Sequence, residues 1–310
     1  MAFFLRTRSM AESKLAIYGA MAANAAIAAT KFAVAAATGS SAMLSEGIHS
    51  LVDTGNGALL LLGVHRSKAP PSAQHPFGHG KELYFWSLIV GVLIFGLGGG
   101  ISFYQGVLHV LNPKPLEDPF WSYVVLAAAF VFEGASFAIA WRQFTAERGA
   151  VPVWKALRAS KDPATYTVLA EDSAALLGLL IAAAGVFASH RLGMPRLDGA
   201  ASVVIGALLS GVAVLLIRES RGLLIGEGIQ RETAQAIGDL ARAEPLVREV
   251  GPLLSMYVGA EDVLVTFAVA FAPDAPAAEV ADCILRIAAA VRERFPKIRR
   301  IYIEPVPPGS

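Results

Sequence analysis

The chain has 310 residues, of which 55% are hydrophobic and 16% are charged, and its mean hydropathy is +0.54. The hydrophobic fraction and the mean hydropathy lie above those of soluble globular domains, and the charged fraction lies below, which predicts a multi-pass membrane protein. A net charge of only +1 argues against nucleic-acid binding. The single cysteine, Cys283, excludes an intrachain disulfide framework and a cysteine-rich zinc module.

Six segments are long and apolar enough to cross the roughly 30 Å hydrocarbon core as helices. They cover residues 15–37, 42–64, 83–109, 119–141, 165–189 and 200–217. The residues before them lack the apolar core and cleavage site of a signal peptide. Lysine and arginine are concentrated in alternate loops, so both termini are predicted to lie in the cytosol. The compact loops and the lack of a transit peptide favour a bacterial inner membrane.

Residues 226–310 have the charge density and the short alternating runs of a soluble domain. The pattern predicts a helix over 231–243, strands over 246–253 and 262–271, a helix over 278–295 and a strand over 299–305. We therefore predict a mainly α polytopic membrane protein with a C-terminal cytosolic α/β domain. The expected domains are residues 1–225, with six transmembrane helices, and residues 226–310.

His49 and Asp53 lie four residues apart in the second predicted span, so both side chains face one gap between helices. Ionisable groups at membrane depth are costly and usually have a function. Glu171 and Asp172 in the fifth span reach a similar depth from the other side. Because imidazole and carboxylate groups bind divalent metals, these residues predict a metal site near the bilayer centre. The alternative is that each residue only hydrogen-bonds in helix packing.

Other polar residues in the spans are expected to have structural roles. Lys31 in the first span either reaches the interface or pairs with Glu133 in the fourth. Glu46 lies one turn before the histidine of the second span and is expected to be hydrated near the outer mouth of a pathway. His109 and His190 lie at span ends, where an interfacial position is expected.

The loop after the second span has the sequence HPFGHGK and contains His75 and His79. Gly78 and Gly80 allow a tight turn, so the two imidazoles can converge on one ion. Two ligands alone make a weak, exchangeable site, and His65 is a candidate for the third. An equally weighted alternative is that this loop packs structurally against the C-terminal domain.

Four segments together resemble the cation diffusion facilitator family of metal transporters over essentially the whole chain. They are TGSSAMLSEGIHSLVDTGN, HPFGHGK, RLDGAASVVIGALLSGVAVLLIRESRGLLIGE and the C-terminal domain. The runs EDSAALLG, LLIGE, YVGAEDVLV and FPKIRRIYIEP look closest to the zinc transporter 9-like branch. The resemblance implies a homodimer with metallochaperone-like cytosolic domains. It also implies export of a divalent cation, with zinc expected, in exchange for protons, with no resident cofactor.

The resemblance implies that His49, Asp53 and Asp172 are ligands of the transported ion. The family usually has a histidine four residues before the last of these, and this chain has Val168, which cannot bind a metal. Glu171 is the predicted substitute. A carboxylate in place of an imidazole makes manganese, iron or cobalt more credible beside zinc.

The loop and the C-terminal domain also differ from the family pattern. His75 and His79 match family ligands, but the acidic residue expected three positions earlier is Ser72, so metal binding there is expected to be weak or absent. The C-terminal domain contains no histidine, which predicts a role in dimerisation rather than metal sensing. Lys81 matches the lysine of a charge interlock at the family's dimer junction, and Glu227 is its predicted partner.

Three functions are compared on this basis. The leading one is a proton-coupled secondary transporter of a divalent metal. A membrane enzyme such as an intramembrane metallopeptidase is disfavoured, because the sequence has no His-Glu-x-x-His motif. A non-transporting membrane scaffold stays open because the fifth-span motif is altered.

Overall fold

The computed structural model describes residues 24–113, 119–149, 151–153, 156 and 163–308. The side chains of residue 147 and of residues 163–165 are outside this description. The predicted cytosolic N-terminal segment and the start of the first predicted span also lie outside the described residues. Everything below concerns the described part of the chain.

Helices occupy the described part of all six predicted spans. They are α1 (residues 24–38), α2 (Ser41–Ser67), α3 (Glu82–Leu111), α4 (Phe120–Arg148), α5 (Pro163–Leu192) and α6 (Arg196–Ile225). Among the described helices, α3 to α6 have both the length and the apolar composition of a membrane span. Charged and polar side chains make α2 less apolar, and these side chains form the site described below.

The helix α3 widens into a π-helix over Ile94–Gly100, where it packs against α6. A Cβ atom on Gly99 would overlap the Ser210 side chain, and one on Gly106 would lie 2.6 Å from the backbone nitrogen of Val203. Small residues therefore allow close backbone contact between these two helices. Gly99 lies at this close contact, whereas Gly96 has open space around it.

The beginning of α2 is fixed by Asp198 of α6. Its carboxylate accepts hydrogen bonds from the Ser41 backbone nitrogen (2.6 Å), the Ala42 backbone nitrogen (3.3 Å), the Ser40 hydroxyl (2.6 Å) and the Ser41 hydroxyl (2.8 Å). One turn later on α6, the Ser202 hydroxyl donates to the Ser41 carbonyl at 2.8 Å. A carboxylate at a helix N-terminus satisfies otherwise unpaired N–H groups and favours the helix dipole. These contacts set where α2 starts.

The C-terminal part of the chain forms a four-stranded sheet with two helices. Its elements are α7 (Arg231–Arg242), β1 (Val247–Val250), β2 (Leu254–Gly259), β3 (Asp262–Phe271), α8 (Ala277–Arg294) and β4 (Ile298–Val306). The strands β1 and β2 pair antiparallel with β3, and β4 pairs parallel with it from Val263–Ile298 to Ala270–Val306. Alternate side chains of β3 pack against α7 and α8 to form an apolar core.

One strand was not predicted from the sequence. The expected element order αββαβ is wrong, and the observed order is αβββαβ, with β2 added. The β2 segment, LSMYVG, has one β-branched residue and ends in glycine, so it carries little strand propensity. Its position is set by antiparallel pairing with β3. The predicted fold class, a six-helix membrane protein with a C-terminal α/β domain, is confirmed.

The described residues form two compact units. The membrane unit contains residues 24–62, 86–113, 119–149, 151–153 and 164–218. The cytosolic unit contains residues 63–85, 156, 163 and 219–308, and so includes the HPFGHGK loop. The predicted domain boundary after residue 225 stays a prediction.

Candidate metal-binding site

His49 and Asp53 lie together on α2. The His49 Nε2 and Asp53 Oδ2 atoms are 3.4 Å apart, as the four-residue spacing on a helix favours. Two donors that each lie about 2.0–2.1 Å from a tetrahedral zinc ion are about 3.3–3.4 Å apart. The observed spacing therefore suits two ligands of one ion.

Three of the four side-chain nitrogen and oxygen atoms of this pair lack hydrogen-bond partners within the described residues. His49 is buried, and within the described residues neither of its ring nitrogens makes a hydrogen bond, nor does Asp53 Oδ1. A buried polar group without a partner costs about 1–3 kcal/mol. A cation bound between the two side chains would remove that cost, so the chemistry of these donors fits a divalent metal as the transported substrate.

The fifth-span carboxylates are held by neutral polar side chains. Glu171 Oε1 accepts a hydrogen bond from Asn56 Nδ2 at 2.8 Å, and Asn56 lies three residues after Asp53 on α2. Asp172 Oδ2 accepts one from the Ser136 hydroxyl at 3.0 Å. Both carboxyl groups interact electrostatically with Asp53. The acidic pair of α5 is thus directed toward the same part of α2.

Not all predicted ligands are close together. Across the described residues, no group of three or more histidine, cysteine, aspartate or glutamate side chains converges closely enough to hold a metal ion. Glu171 and Asp172 each use one carboxylate oxygen in the hydrogen bond described above. Metal binding by all four residues therefore stays a prediction.

A buried ion pair lies one turn from the candidate site. Lys31 Nζ is 3.1 Å from Glu46 Oε2 and donates a hydrogen bond to the Ser50 hydroxyl at 2.8 Å. Both charged side chains are fully buried, and Gly178 of α5 leaves room for Glu46, because a Cβ there would lie 2.5 Å from Glu46 Oε1. The expectation of a hydrated Glu46 is wrong. The direct partner of Lys31 is Glu46, and Glu133 interacts with it only electrostatically.

Several residues that shape the site were not predicted from the sequence. Asn56, Ser136 and Asp198 each bind a residue that is distant in sequence, and hydropathy carries no signal for such contacts. The Lys31–Glu46 pair did have a signal, because both residues lie at similar distances from the α1–α2 turn.

The loop histidines lie close together in the cytosolic unit. The ring centroids of His75 and His79 are 4.5 Å apart, and His79 Nδ1 is buried without a hydrogen bond within the described residues. His79 also lines a cavity of about 540 Å³ together with His65, the predicted third ligand, and with Arg66 and Lys68. Metal binding by this loop stays a prediction.

The same loop packs on the C-terminal sheet. Arg300 of β4 donates a hydrogen bond to the Phe77 carbonyl at 3.1 Å, and its guanidinium carbon lies 5.2 Å from the centre of the Phe77 ring. A Cβ on Gly80 would overlap the carbonyl oxygen of Val258. The structural packing proposed as the alternative role of this loop is therefore present.

Lys81 also makes its described contacts inside the cytosolic unit. Its ammonium donates to the Leu224 carbonyl at 3.2 Å and lies 3.9 Å from Met256 Sδ. The Glu227 carbonyl accepts a hydrogen bond from the Tyr257 backbone nitrogen at 3.1 Å. The charge interlock between Lys81 and Glu227 stays a prediction.

The sequence was compared with known families and proteins. Residues 17–225 match the cation efflux transmembrane domain family. The human proton-coupled zinc antiporter SLC30A9, mitochondrial, is 40% identical over 215 residues, which are 69% of this chain and 38% of that protein. Metal tolerance protein C4 of Arabidopsis thaliana is 33% identical over 251 residues, 80% of this chain and 54% of that protein. The chain thus covers well under two thirds of the length of these relatives.

A bacterial relative matches over a longer part of the chain. The magnetosome protein MamM of Paramagnetospirillum magneticum is 28% identical over 288 residues, 91% of this chain and 85% of that protein. A solved structure of a MamM C-terminal domain variant in its cadmium form is 21% identical, with a TM-score of 0.23, and covers 25% of this chain and 95% of that chain.

The family match contains the whole of α2 to α6 and therefore the candidate site. It confirms the predicted family and a multi-pass membrane protein, and the members of the family are transporters rather than enzymes. The chain belongs to the cation diffusion facilitator family of metal cation transporters, near its zinc transporter 9-like branch.

Proposed function

We propose that this protein exports zinc from the cytosol in exchange for protons, with His49 and Asp53 as the core of the transport site. The observation that carries the proposal is the pair on α2, in which His49 Nε2 lies 3.4 Å from Asp53 Oδ2 and both His49 ring nitrogens and Asp53 Oδ1 lack hydrogen bonds within the described residues. A nitrogen and an oxygen donor at this spacing suit tetrahedral zinc. The SLC30A9 relatives, which are named proton-coupled zinc antiporters, support the same proposal.

The proton exchange follows from the chemistry of the donors. Metal ligands must be deprotonated, so a carboxylate or imidazole that binds zinc releases any proton it holds. When the ion leaves on the outer side, Asp53, Asp172 and Glu171 are free to take up protons there. Asn56 and Ser136 hold the α5 carboxylates while no ion is bound. The proposed cycle therefore exchanges a hydrogen-bonded state of α5 for a metal-bound one.

The assembly and the location are part of the proposal. We propose a homodimer in a lipid bilayer, with cytosolic termini, dimerisation through residues 226–310 and a charge interlock of Lys81 with Glu227. A bacterial inner membrane is the proposed site, although the SLC30A9 relatives are named as mitochondrial. Chemical crosslinking of the protein in native membranes tests the dimer.

A second cation class is favoured by one feature of α5. Val168 replaces the histidine that the family usually has, while Glu171 is kept beside α2 by Asn56. A site with three carboxylates and one imidazole is harder than a site with two of each, and manganese, iron and cobalt accept such ligands. The alternative proposal is transport of one of these ions.

The test is metal transport in proteoliposomes containing the full chain. We expect zinc transport by the unaltered protein and by Glu219→Ala, which removes an exposed carboxylate from α6. Asp53→Ala and Asp172→Ala should each abolish it. Transport that survives both changes contradicts the proposed site. Failure of the unaltered protein to move zinc, manganese, iron or cobalt favours the scaffold function instead.

Metal selectivity is tested at Glu171. The variants Glu171→Ala and Glu171→His are compared with zinc and manganese side by side. If Glu171 is a ligand, Glu171→Ala lowers transport of both ions, whereas Glu171→His favours zinc over manganese because imidazole is the softer donor. An unchanged zinc-to-manganese ratio in both variants means that Glu171 does not bind the ion.

A further inference from the structure

A cavity of about 610 Å³ lies in the membrane unit at the start of α2. It is bounded by α1, by the turn between α1 and α2, and by α3. Gln105 and His109 line it from α3, where their four-residue spacing places them on one face of the helix, and Asn112 lines it just after the end of α3. Ser40 and Ser41 line it from the turn. On the topology proposed above, this cavity opens toward the outer side of the membrane.

His109 is the titratable side chain among the described residues that line this cavity. It is 8% exposed, and its Nε2 atom makes no hydrogen bond within the described residues. The α1 residues that line the cavity are Phe32, Ala35 and Ala36, and all three are uncharged. From α6, Asp198 faces the imidazole, with Oδ2 at 4.0 Å from Nε2. The Asp198 carboxylate and the Nε2 atom of His109 thus lie next to each other at this cavity.

We propose that His109 is a proton-binding site open to the outer side, and that its occupancy controls α2 through Asp198. Imidazole is the side chain that commonly changes charge between about pH 5 and pH 8. A proton taken from water in the cavity makes His109 a cation 4.0 Å from a buried carboxylate, a distance at which the Coulomb attraction is strong in a low-dielectric interior. This proton binds and leaves on the outer side and is not carried across the membrane.

The route from His109 to the metal site runs through the cap of α2. Asp198 already accepts four hydrogen bonds from Ser40, Ser41 and Ala42 at the start of that helix. A positive His109 competes with those donors for the same carboxylate. The first turn of α2 then loses part of its cap, and α2 carries His49 about two turns further on. Outer acidity is therefore expected to loosen the beginning of α2.

Hydrogen–deuterium exchange of the full chain in lipid nanodiscs tests the inference without requiring transport. After correction for the intrinsic effect of pH, the peptide containing Ser41 and Ala42 should be several-fold less protected at about pH 5.5 than at about pH 7.5. His109→Gln should abolish that difference. His190→Gln, which removes an exposed histidine from the end of α5, should keep it. A pH difference that persists in His109→Gln overturns the inference.

Transport adds a second readout. At fixed cytosolic pH, the metal transport rate of the unaltered protein and of His190→Gln should change with outer pH more steeply than that of His109→Gln. An identical outer-pH profile in His109→Gln overturns the inference. If the unaltered protein moves no metal under any condition, the proposed function fails, while the exchange experiment still decides the role of His109.

Discussion

The two units of this protein differ in where their charged side chains lie. In the cytosolic unit the core is apolar, with Val265, Phe267 and Ile287 at its centre, and ion pairs such as Glu244–Arg286 lie toward the surface. In the membrane unit charged side chains lie inside, and most are matched: Lys31 with Glu46 and Ser50, and Asp198 with the start of α2.

His49 and Asp53 on α2 contrast with these matched charges. They lie one to two turns from the paired Glu46, yet both His49 ring nitrogens and Asp53 Oδ1 lack hydrogen bonds among the described residues. Two unpaired ring nitrogens beside an unpaired carboxylate oxygen distinguish this pair from the Lys31–Glu46 ion pair.

The largest expected effect is at the unpartnered pair. His49→Ala and Asp53→Ala should each lower metal transport by more than about 100-fold, because loss of an outer partner of a metal ligand alone costs about 10–100-fold. Both variants should fold, since each removes an unsatisfied polar group. Transport assays in proteoliposomes with thermal unfolding as a control measure this. Normal metal transport by either variant would contradict the view that His49 and Asp53 bind the ion, whereas Lys31 and Glu46 have a structural role.

Substitution in the buried Lys31–Glu46 pair should instead lower the stability of the protein. Glu46→Ala leaves the Lys31 ammonium buried without its carboxylate, and breaking a buried ion pair costs about 3–5 kcal/mol. Thermal unfolding in detergent should show the loss, and adding Lys31→Met should recover most of it. If Glu46→Ala is as stable as the unaltered protein, the pair is not structural. The double variant shows whether the loss of stability comes from the unpaired Lys31 charge or from the missing side-chain volume at position 46.

Packing of the HPFGHGK loop gives a third, intermediate effect. Gly80→Ala places a Cβ against the Val258 carbonyl oxygen, so the loop must shift at a cost of about 1–3 kcal/mol. Gly96→Ala on α3 is the control, because a Cβ there has open space. Limited proteolysis should cut the loop faster in Gly80→Ala only. Equal cleavage of both variants would mean that the loop is not held by the sheet.

The smallest expected effect is at the Glu244–Arg286 ion pair on the surface of the cytosolic unit. The Arg286 guanidinium hydrogen-bonds Glu244 and holds the pKa of that carboxyl below its usual value. A lowered carboxyl pKa contributes stability that is present above the unfolded pKa and is lost as the pH falls through the folded one. Arg286→Ala should therefore lower the melting temperature slightly at neutral pH and not in acid. Arg292→Ala on the same helix is the control, and an equal loss at both pH values would contradict the assignment.

More of the fold than of the candidate site could be predicted from the sequence. Runs of apolar residues predicted all six membrane helices, and the pair on α2 followed from its four-residue spacing. The strand β2 was missed because its residues carry little strand propensity and its place depends on pairing with β3. The Asp198 cap, the Asn56–Glu171 bond and the choice of Glu46 as the partner of Lys31 depend on which helices are neighbours. Spacing within one helix cannot specify such contacts.

The most direct test of the account is X-ray absorption spectroscopy of the zinc-loaded protein. The measurement uses a background in which His75 and His79 are both alanine, so that the loop cannot contribute imidazole. We predict an imidazole nitrogen at about 2.0–2.1 Å from the bound zinc, and its loss when His49→Ala is added. Zinc that keeps its imidazole signal in the His49→Ala protein would contradict the assignment of the transport site to α2.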